Sequence, residues 1–163
     1  ATVDWTLVGL KKVSGNDTLT FTKAAILNTD GLITETDGST SLRFYNVLED
    51  DYYVYIKHRN HLKVMSSSTV HLNSNTIEIY DFTLSVSNSL NGNALVQLKE
   101  GVWGAAAGDI NIDEQVNAHD VNSIWNQFNS TGYEWSDINL DGVVDDIDKQ
   151  LVWKNRNIFS GAD

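Results

Sequence analysis

The sequence contains no cysteine and no proline, and only one methionine. Without cysteine, the chain forms no disulfide, binds no metal through thiolates and offers no cysteine nucleophile. No apolar run reaches the length of about 18 residues that a membrane-spanning helix needs. Basic residues are also scarce, because 11 Lys and Arg stand against 22 Asp and Glu, for a formal net charge of −11. This acidic balance argues against nucleic acid as a partner and in favour of bound cations.

Residues 1–100 have the pattern of short β-strands. Apolar residues alternate with polar ones around Val3, Trp5 and Leu7, and a similar run at residues 76–84 changes its apolar parity midway. Apolar β-branched and aromatic residues at every second position are typical of half-buried strands. A switch of the apolar residues from even to odd positions, or the reverse, within one run indicates a bulge. About seven strands in this length predict an all-β sandwich.

Small residues dominate positions 101–108, where glycine and alanine surround a single tryptophan. Such a composition is typical of a linker between domains. We therefore predict a β-sandwich domain at residues 1–100, a linker at 101–108 and a separate module at 109–163. The only Lys and Arg residues of that module are Lys149, Lys154 and Arg156.

Two runs after this linker carry oxygen-bearing side chains at the spacing of a twelve-residue calcium loop. In such a loop, positions 1, 3, 5, 9 and 12 supply side-chain oxygens and position 7 supplies its main-chain carbonyl. Because every position is filled in both runs, we predict two bound Ca²⁺ ions. The predicted ligands are Asp109, Asn111, Asp113, Gln115, Asn117 and Asp120 in one run, and Asp137, Asn139, Asp141, Val143, Asp145 and Asp148 in the other.

The sixth position distinguishes the two runs, since it is Glu114 in the first and Gly142 in the second. This position takes a positive φ, which costs a residue with a side chain about 1 kcal/mol. We therefore expect the first loop to be strained or to bind calcium more weakly.

A helical pattern follows each run. Val121, Ile124, Trp125 and Phe128 fall at i, i+3, i+4 and i+7, which predicts an amphipathic helix with Trp125 in the core. Trp153 has the equivalent place in the second repeat but lies off the apolar stripe. Contact with a partner and partial burial therefore both remain open for Trp153.

A duplicated loop and helix, with Asp at the last ligand position, resembles the dockerin family of calcium-binding modules over residues 108–159. Residues 25–60 resemble the immunoglobulin-like, prealbumin-like sandwiches of bacterial secreted proteins, through a turn at residues 37–38, a strand ending in Phe44 and a Tyr-rich strand at residues 52–55. Together these resemblances imply two domains: an all-β sandwich followed by a small all-α dockerin-like module with two calcium loops.

Dockerins hold extracellular proteins onto cohesin domains. The resemblance therefore implies a non-enzymatic, secreted protein that acts in protein–protein assembly and adhesion at the cell surface, with a cohesin-like partner. The specificity positions of dockerins correspond here to Ala118 and His119 in one copy and Asp146 and Ile147 in the other. Since the two copies differ, a two-way binding mode is not expected. With Trp153, these four residues are the predicted partner contacts.

Self-assembly is the alternative function, in which copies of the chain pair through edge strands into a fibre, filament or surface layer and calcium is purely structural. We predict no catalysis, because acids outside the repeats, such as Asp50, Asp51 and Asp81, form no recognisable pair with a base or nucleophile. We also predict no metal site at His58 and His61, since residues three apart on a strand point to opposite faces.

Overall fold

The structure is a computed structural model that describes residues 1–14 and 17–162. Two short 3₁₀ turns, Val86–Asn88 and Leu90–Gly92, precede the strand at Leu95–Lys99. No helix in the described part of the chain is long and apolar enough to cross a membrane. The strands and α-helices of the described residues are, in order, β1 (Thr2–Ser14), β2 (Asp17–Asn28), β3 (Ile33–Thr34), β4 (Asp50–Lys57), β5 (Val64–Met65), β6 (Val70–Leu72), β7 (Leu95–Lys99), β8 (Val102–Ala105), α1 (Ala118–Gln127) and α2 (Asp146–Asn155).

Six of these strands form one antiparallel sheet. Its order is β3-β2-β1-β4-β5, and β6 pairs with the start of β4. The long hairpin of β1 and β2 is the largest part of this sheet, since the two strands pair along nearly their whole length. Strands β7 and β8 form a second, two-stranded sheet.

Strand β1 does not bury the face that carries Trp5; it buries the opposite face. Val8 and Leu10 are buried, whereas Trp5 is 43% exposed. Asp4 lies on the buried face, where its carboxylate Oδ2 is 2.9 Å from Arg59 Nε. The face of this strand is therefore decided by an ion pair with a residue distant in the sequence.

One hydrophobic core cluster joins β5 of the large sheet and β7 of the second sheet to both helices. The predicted two-domain fold, an all-β sandwich followed by an all-α module, is therefore wrong: the described chain is one mostly-β domain with two short helices. Each helix has 10 residues, and helices this short depend on packing against other elements. The core consists of Leu62, Val64, Ala94, Leu95, Ala106, Ile110, Val116, Ile124, Ile138, Val144 and Val152.

Residues 101–108, which the composition predicted as a linker, belong to this packed structure. They contain β8, and Ala106 is fully buried. A Cβ on Gly108 would lie 2.9 Å from Cγ1 of Val116, and the φ of Gly108 is +126°. The small residues here allow elements to approach closely instead of providing a flexible connection.

Candidate metal loops and docking groove

The two predicted metal-binding segments, residues 109–120 (the first loop) and 137–148 (the second loop), share one local structure. Hydrogen bonds from main-chain N–H groups to side-chain oxygens at loop positions 1, 3 and 5 recur in both. Each loop leads directly into a helix, because α1 begins at Ala118 and α2 at Asp146. The repeat in the sequence is therefore also a repeat in the structure.

The last carboxylate of each loop, Asp120 or Asp148, is 0% exposed. Its Oδ1 accepts the N–H of the second loop residue, Ile110 at 2.8 Å or Ile138 at 2.7 Å. Its Oδ2 accepts the N–H of the helix N-cap at 2.8 Å, which completes a capping box in both helices. The same carboxylate thus closes the loop and begins the helix.

The first carboxylates, Asp109 and Asp137, are each 3% exposed. Burial raises the pKa of Asp109 to about 6, and the negative charge of Asp120 adds to this effect. Burial also raises the pKa of Asp137, with a further contribution from Asp148. A buried carboxylate whose charge is disfavoured by burial and by a second carboxylate fits a divalent cation, which would neutralise it.

The polar side chains between these ends point at one another. The Asn111 amide donates to Asp113 Oδ2 at 2.8 Å, and the Asn117 amide donates to the same oxygen at 3.4 Å. In the second loop, the Asn139 amide donates to Asp141 Oδ2 at 2.8 Å. The structure therefore brings predicted ligands at positions 3 and 5 together in both loops.

The seventh loop residues, Gln115 and Val143, have exposed side chains, in keeping with a role limited to their main-chain carbonyls. Across residues 1–14 and 17–162, no group of three or more His, Cys, Asp or Glu is arranged to hold a metal ion. The predicted ligand sets combine carboxylates with Asn amides and carbonyls, which are also oxygen ligands of calcium. Calcium binding itself stays a prediction.

The sixth loop residues both adopt the left-handed conformation that the calcium-loop pattern predicted. Glu114 has φ 65° and Gly142 has φ 88°. The carboxylate of Glu114 lies 2.6 Å from Lys63 Nζ, and both side chains are largely buried. This ion pair ties the first loop to the segment just before β5 and offsets part of the backbone cost at Glu114.

An apolar cleft of about 740 Å³ lies between α1 and α2, and we call it the docking groove. Trp125, predicted to be in the core, is 55% exposed here, and the predicted partner contacts Ile147 and Trp153 are 52% and 58% exposed. The other predicted contacts, Ala118, His119 and Asp146, are exposed but do not line the groove. Its lining is Val121, Trp125, Ile147, Lys149, Gln150, Leu151, Trp153 and Lys154.

One cation lies over the ring of each tryptophan of this groove. Lys149 Nζ lies 4.5 Å from the centre of the Trp125 ring, and Arg156 Cζ lies 4.3 Å from the centre of the Trp153 ring. The sequence signal for the groove was the repeated tryptophan, since Trp125 and Trp153 occupy equivalent places. The apolar stripe of α1 led to the prediction that Trp125 is buried. Periodicity does not show how much of that stripe a neighbouring element covers.

A turn at residues 58–61 brings the two histidines together, contrary to the prediction that they face opposite sides. Strand β4 ends at Lys57, so His58 and His61 do not lie on a strand, and their ring centres are 4.9 Å apart. His58 Nε2 is 3.1 Å from Asp4 Oδ2, and both Nδ1 atoms are within 3.1 Å of Asn60 Oδ1. The imidazoles are members of a hydrogen-bonded network.

This turn joins the large sheet to the start of the second loop. The Asn60 amide donates to the carbonyl of Asp137 at 2.7 Å, and Arg59 donates to the carbonyl of Glu134. Tyr133 Oη donates to Asp4 Oδ1 at 2.9 Å. The first predicted ligand of the second loop is therefore held in place by residues that sequence reasoning did not assign to any site.

Acid should weaken the fold through these histidines. Burial, with the nearby charge of His58, lowers the pKa of His61 to about 3, and burial also lowers the pKa of His58. Because the unfolded chain takes up protons near pH 6.5 and the native chain does not, stability is complete above pH 6.5 and falls as the pH drops below it. For His61 the loss is up to about 1.4 kcal/mol per pH unit.

Urea unfolding of the parent chain and of His61→Gln, in excess calcium at pH 7.5, 6.5 and 5.5, measures this loss. We expect the parent to lose more stability between pH 6.5 and 5.5 than the variant loses. Equal losses in the two proteins would show that His61 is protonated in the native state.

No protein-family model matches this chain, and no curated protein matches it. Two similar solved structures are type II cohesin–X-dockerin complexes from Acetivibrio cellulolyticus. A chain of the N-terminal interface mutant is 17% identical, with a TM-score of 0.47, over 96% of this chain and 82% of that chain. A chain of the C-terminal interface mutant is 18% identical, with a TM-score of 0.49, over 93% and 82%. The assignment of a dockerin module, made from the loop repeats, is not supported by a family model.

Proposed function

We propose that this chain is a non-enzymatic, calcium-binding protein of extracellular assembly, whose docking groove receives a protein partner. Two Ca²⁺ ions would be held by the predicted ligands of the first and second loops. The observation that carries the proposal is the pairing of duplicated, buried carboxylate loops with an exposed apolar groove between the helices that these loops begin. The loops hold the two helices, and the helices form the groove.

The metal would supply positive charge to each loop. Asp109 and Asp120 are both buried, and the negative charge of Asp120 contributes to the raised pKa of Asp109. The first loop contains three carboxylates among its predicted ligands and the second contains four, a set of hard oxygen donors suited to calcium. Neutralising this charge would stabilise the start of both helices.

The groove has the chemistry of a protein-binding site. Exposed tryptophans are rare on surfaces without a partner and common at the centres of interfaces. Trp125, Trp153 and Ile147 provide the apolar contact, and Lys149, Lys154 and Arg156 provide a cationic rim on an otherwise acidic chain. A partner that fits carries an apolar ridge flanked by carboxylates. The partner class we propose is a cohesin-like domain at a cell surface.

Binding to a panel of immobilised cohesin domains, including type II domains, tests this function. In excess calcium we expect Trp153→Ala to weaken binding at least about tenfold, which is the effect of an interface hot spot. Trp135→Ala is the matched control, because Trp135 is 44% exposed and lies outside the groove. Excess EGTA should abolish binding.

Two results would contradict the proposal. Binding that persists unchanged in EGTA would show that calcium does not hold the docking surface. Failure of every cohesin to bind would show that the partner is not a cohesin-like domain. Equal loss of binding in Trp153→Ala and Trp135→Ala would show that the docking groove is not the binding site.

A further inference from the structure

One edge of the large sheet is open along most of β2. This strand pairs with β1 on one side, but on its other side β3 contacts only Ile26 and Leu27. Among the described residues, the main chain of residues 18–24 makes no hydrogen bond on that outer side. About 20 Å of unpaired strand edge is therefore available. Such an edge is a template for a further strand.

A groove of about 440 Å³ runs beside this open edge, and we call it the edge groove. It combines aromatic and aliphatic side chains with two cations and contains no acidic residue. Lys23 already pairs with Glu35, whereas no hydrogen bond or ion pair joins the Arg43 guanidinium to any other described residue. The groove is lined by Thr20, Phe21, Thr22, Lys23, Arg43, Phe44, Tyr45 and Val47.

A segment with the sequence of a strand but no strand partner occurs elsewhere in the chain. Residues 76–80, the donor segment, read Thr-Ile-Glu-Ile-Tyr, and the sequence predicted a strand here. The structure instead leaves these residues outside any helix or strand. Ile77 is 75% exposed and Ile79 is 86% exposed. Two isoleucines at strand spacing are thus held in solvent.

Both ends of the donor segment are fixed. The Asn73 side chain accepts the N–H of Thr76 at 2.9 Å, and Tyr80 Oη donates to the carbonyl of Asn88 at 2.6 Å. Among the described residues, the main-chain groups of Ile77 and Ile79 have no hydrogen-bond partner. The residues at the two ends of the donor segment are therefore fixed, while the main-chain groups of Ile77 and Ile79 are available for pairing.

We propose that the donor segment of one copy of this chain adds as a strand to residues 18–24 of β2 in a second copy. Within one copy the two do not pair in this structure, because the flanks of the donor segment are hydrogen-bonded near β6, and β1 and β4 stand between β6 and β2. That separation is about 14 Å at the spacing of neighbouring strands. The isoleucines would pack on the aromatic lining of the edge groove.

Charge selects the same pairing. Residues 73–84 contain Glu78 and Asp81 and no basic residue, while the edge groove offers the guanidinium of Arg43, since Lys23 is already paired with Glu35. The two surfaces differ, so each copy both donates a strand and accepts one. A contact of this heterologous kind continues from copy to copy and forms an open chain unless its rotation closes a ring.

The absence of native cysteine permits a direct test by disulfide cross-linking. Thr20 and Thr22 are exposed on one face of β2, and Glu78 lies between the two isoleucines, so Thr20→Cys or Thr22→Cys is mixed with Glu78→Cys under mild oxidation. We expect at least about tenfold more cross-linked dimer than with the control Leu98→Cys, since pairing raises the local thiol concentration. Leu98 is 65% exposed on β7.

The double variant Thr22→Cys/Glu78→Cys then distinguishes an open chain from a closed pair. A ladder of covalent oligomers is expected, and Ile77→Lys/Ile79→Lys should remove both the ladder and any self-association in sedimentation. Cross-linking no greater than with Leu98→Cys would overturn the proposal, whereas covalent dimers without larger species would support strand addition in a closed pair. Trp153→Ala should leave the ladder intact, so this test is independent of the docking groove.

Discussion

Replacing Asp148 with alanine is expected to lower the free energy of unfolding by about 3–5 kcal/mol. The carboxylate is fully buried and accepts three main-chain N–H groups, from Ile138 at 2.7 Å, Asn139 at 3.1 Å and Asp145 at 2.8 Å. Alanine leaves these three donors without their partner, and the Ile138 N–H is buried away from water. The second loop then loses both its closure and a predicted calcium ligand.

Urea unfolding with excess calcium and with excess EGTA separates the two effects. Calcium at one hundred times its dissociation constant should stabilise the parent chain by about 2.7 kcal/mol per site. Since the core cluster joins β5 and β7 to both helices, and the 58–61 turn bonds β1 to the start of the second loop, we expect this gain in a single transition of the whole chain. In Asp148→Ala the gain should fall to that of one site.

The control for this experiment is Asp146→Ala. Asp146 directly follows the predicted ligand Asp145, but its side chain is exposed and contacts Lys149 at the surface. Its loss should cost under about 1 kcal/mol and leave the gain from calcium unchanged. If Asp148→Ala gained as much from calcium as the parent chain, the second loop would not be a calcium site.

Replacing Arg59 with alanine is expected to cost about 3–5 kcal/mol, because it leaves a buried charge without its partner. Arg59 is 5% exposed, and its Nε lies 2.9 Å from Oδ2 of Asp4, which is 7% exposed. Burial raises the pKa of Asp4, but hydrogen bonds from Arg59, the Trp5 N–H and Tyr133 together hold it below its usual value. The guanidinium also lies 4.0 Å from the centre of the Tyr133 ring.

The double variant Asp4→Asn/Arg59→Ala shows whether the lost stability comes from the uncompensated charge. We expect it to be less destabilised than the sum of the two single changes, since the unpaired carboxylate is gone. Arg43→Ala, which removes an exposed arginine, is the control and should change stability by no more than about 0.5 kcal/mol. Strict additivity in the double variant would mean that Asp4 and Arg59 do not interact in solution.

The existence of strand β1 could be predicted from the sequence, but its buried face could not. Alternation placed Trp5 inside, because an aromatic residue gains more from burial than an aspartate does. In the structure, Asp4 is inside and Trp5 is 43% exposed. Arg59 and His58 reverse the balance by contacting the Asp4 carboxylate from the 58–61 turn. Local pattern does not carry that information.

The sequence by itself determined the two loops and the positions where the helices begin, because the hydrogen bonds that form them join residues of one short segment. Ile110 and Asp120, for example, are only 10 residues apart. The tertiary structure alone decided that these loops share one core with the sheets. The bonds from Asn60 to Trp135 and Asp137 span 75 and 77 residues, and no periodicity records contacts at that distance. The docking groove and the open edge of β2 are equally tertiary, since exposure depends on which neighbours pack against a face.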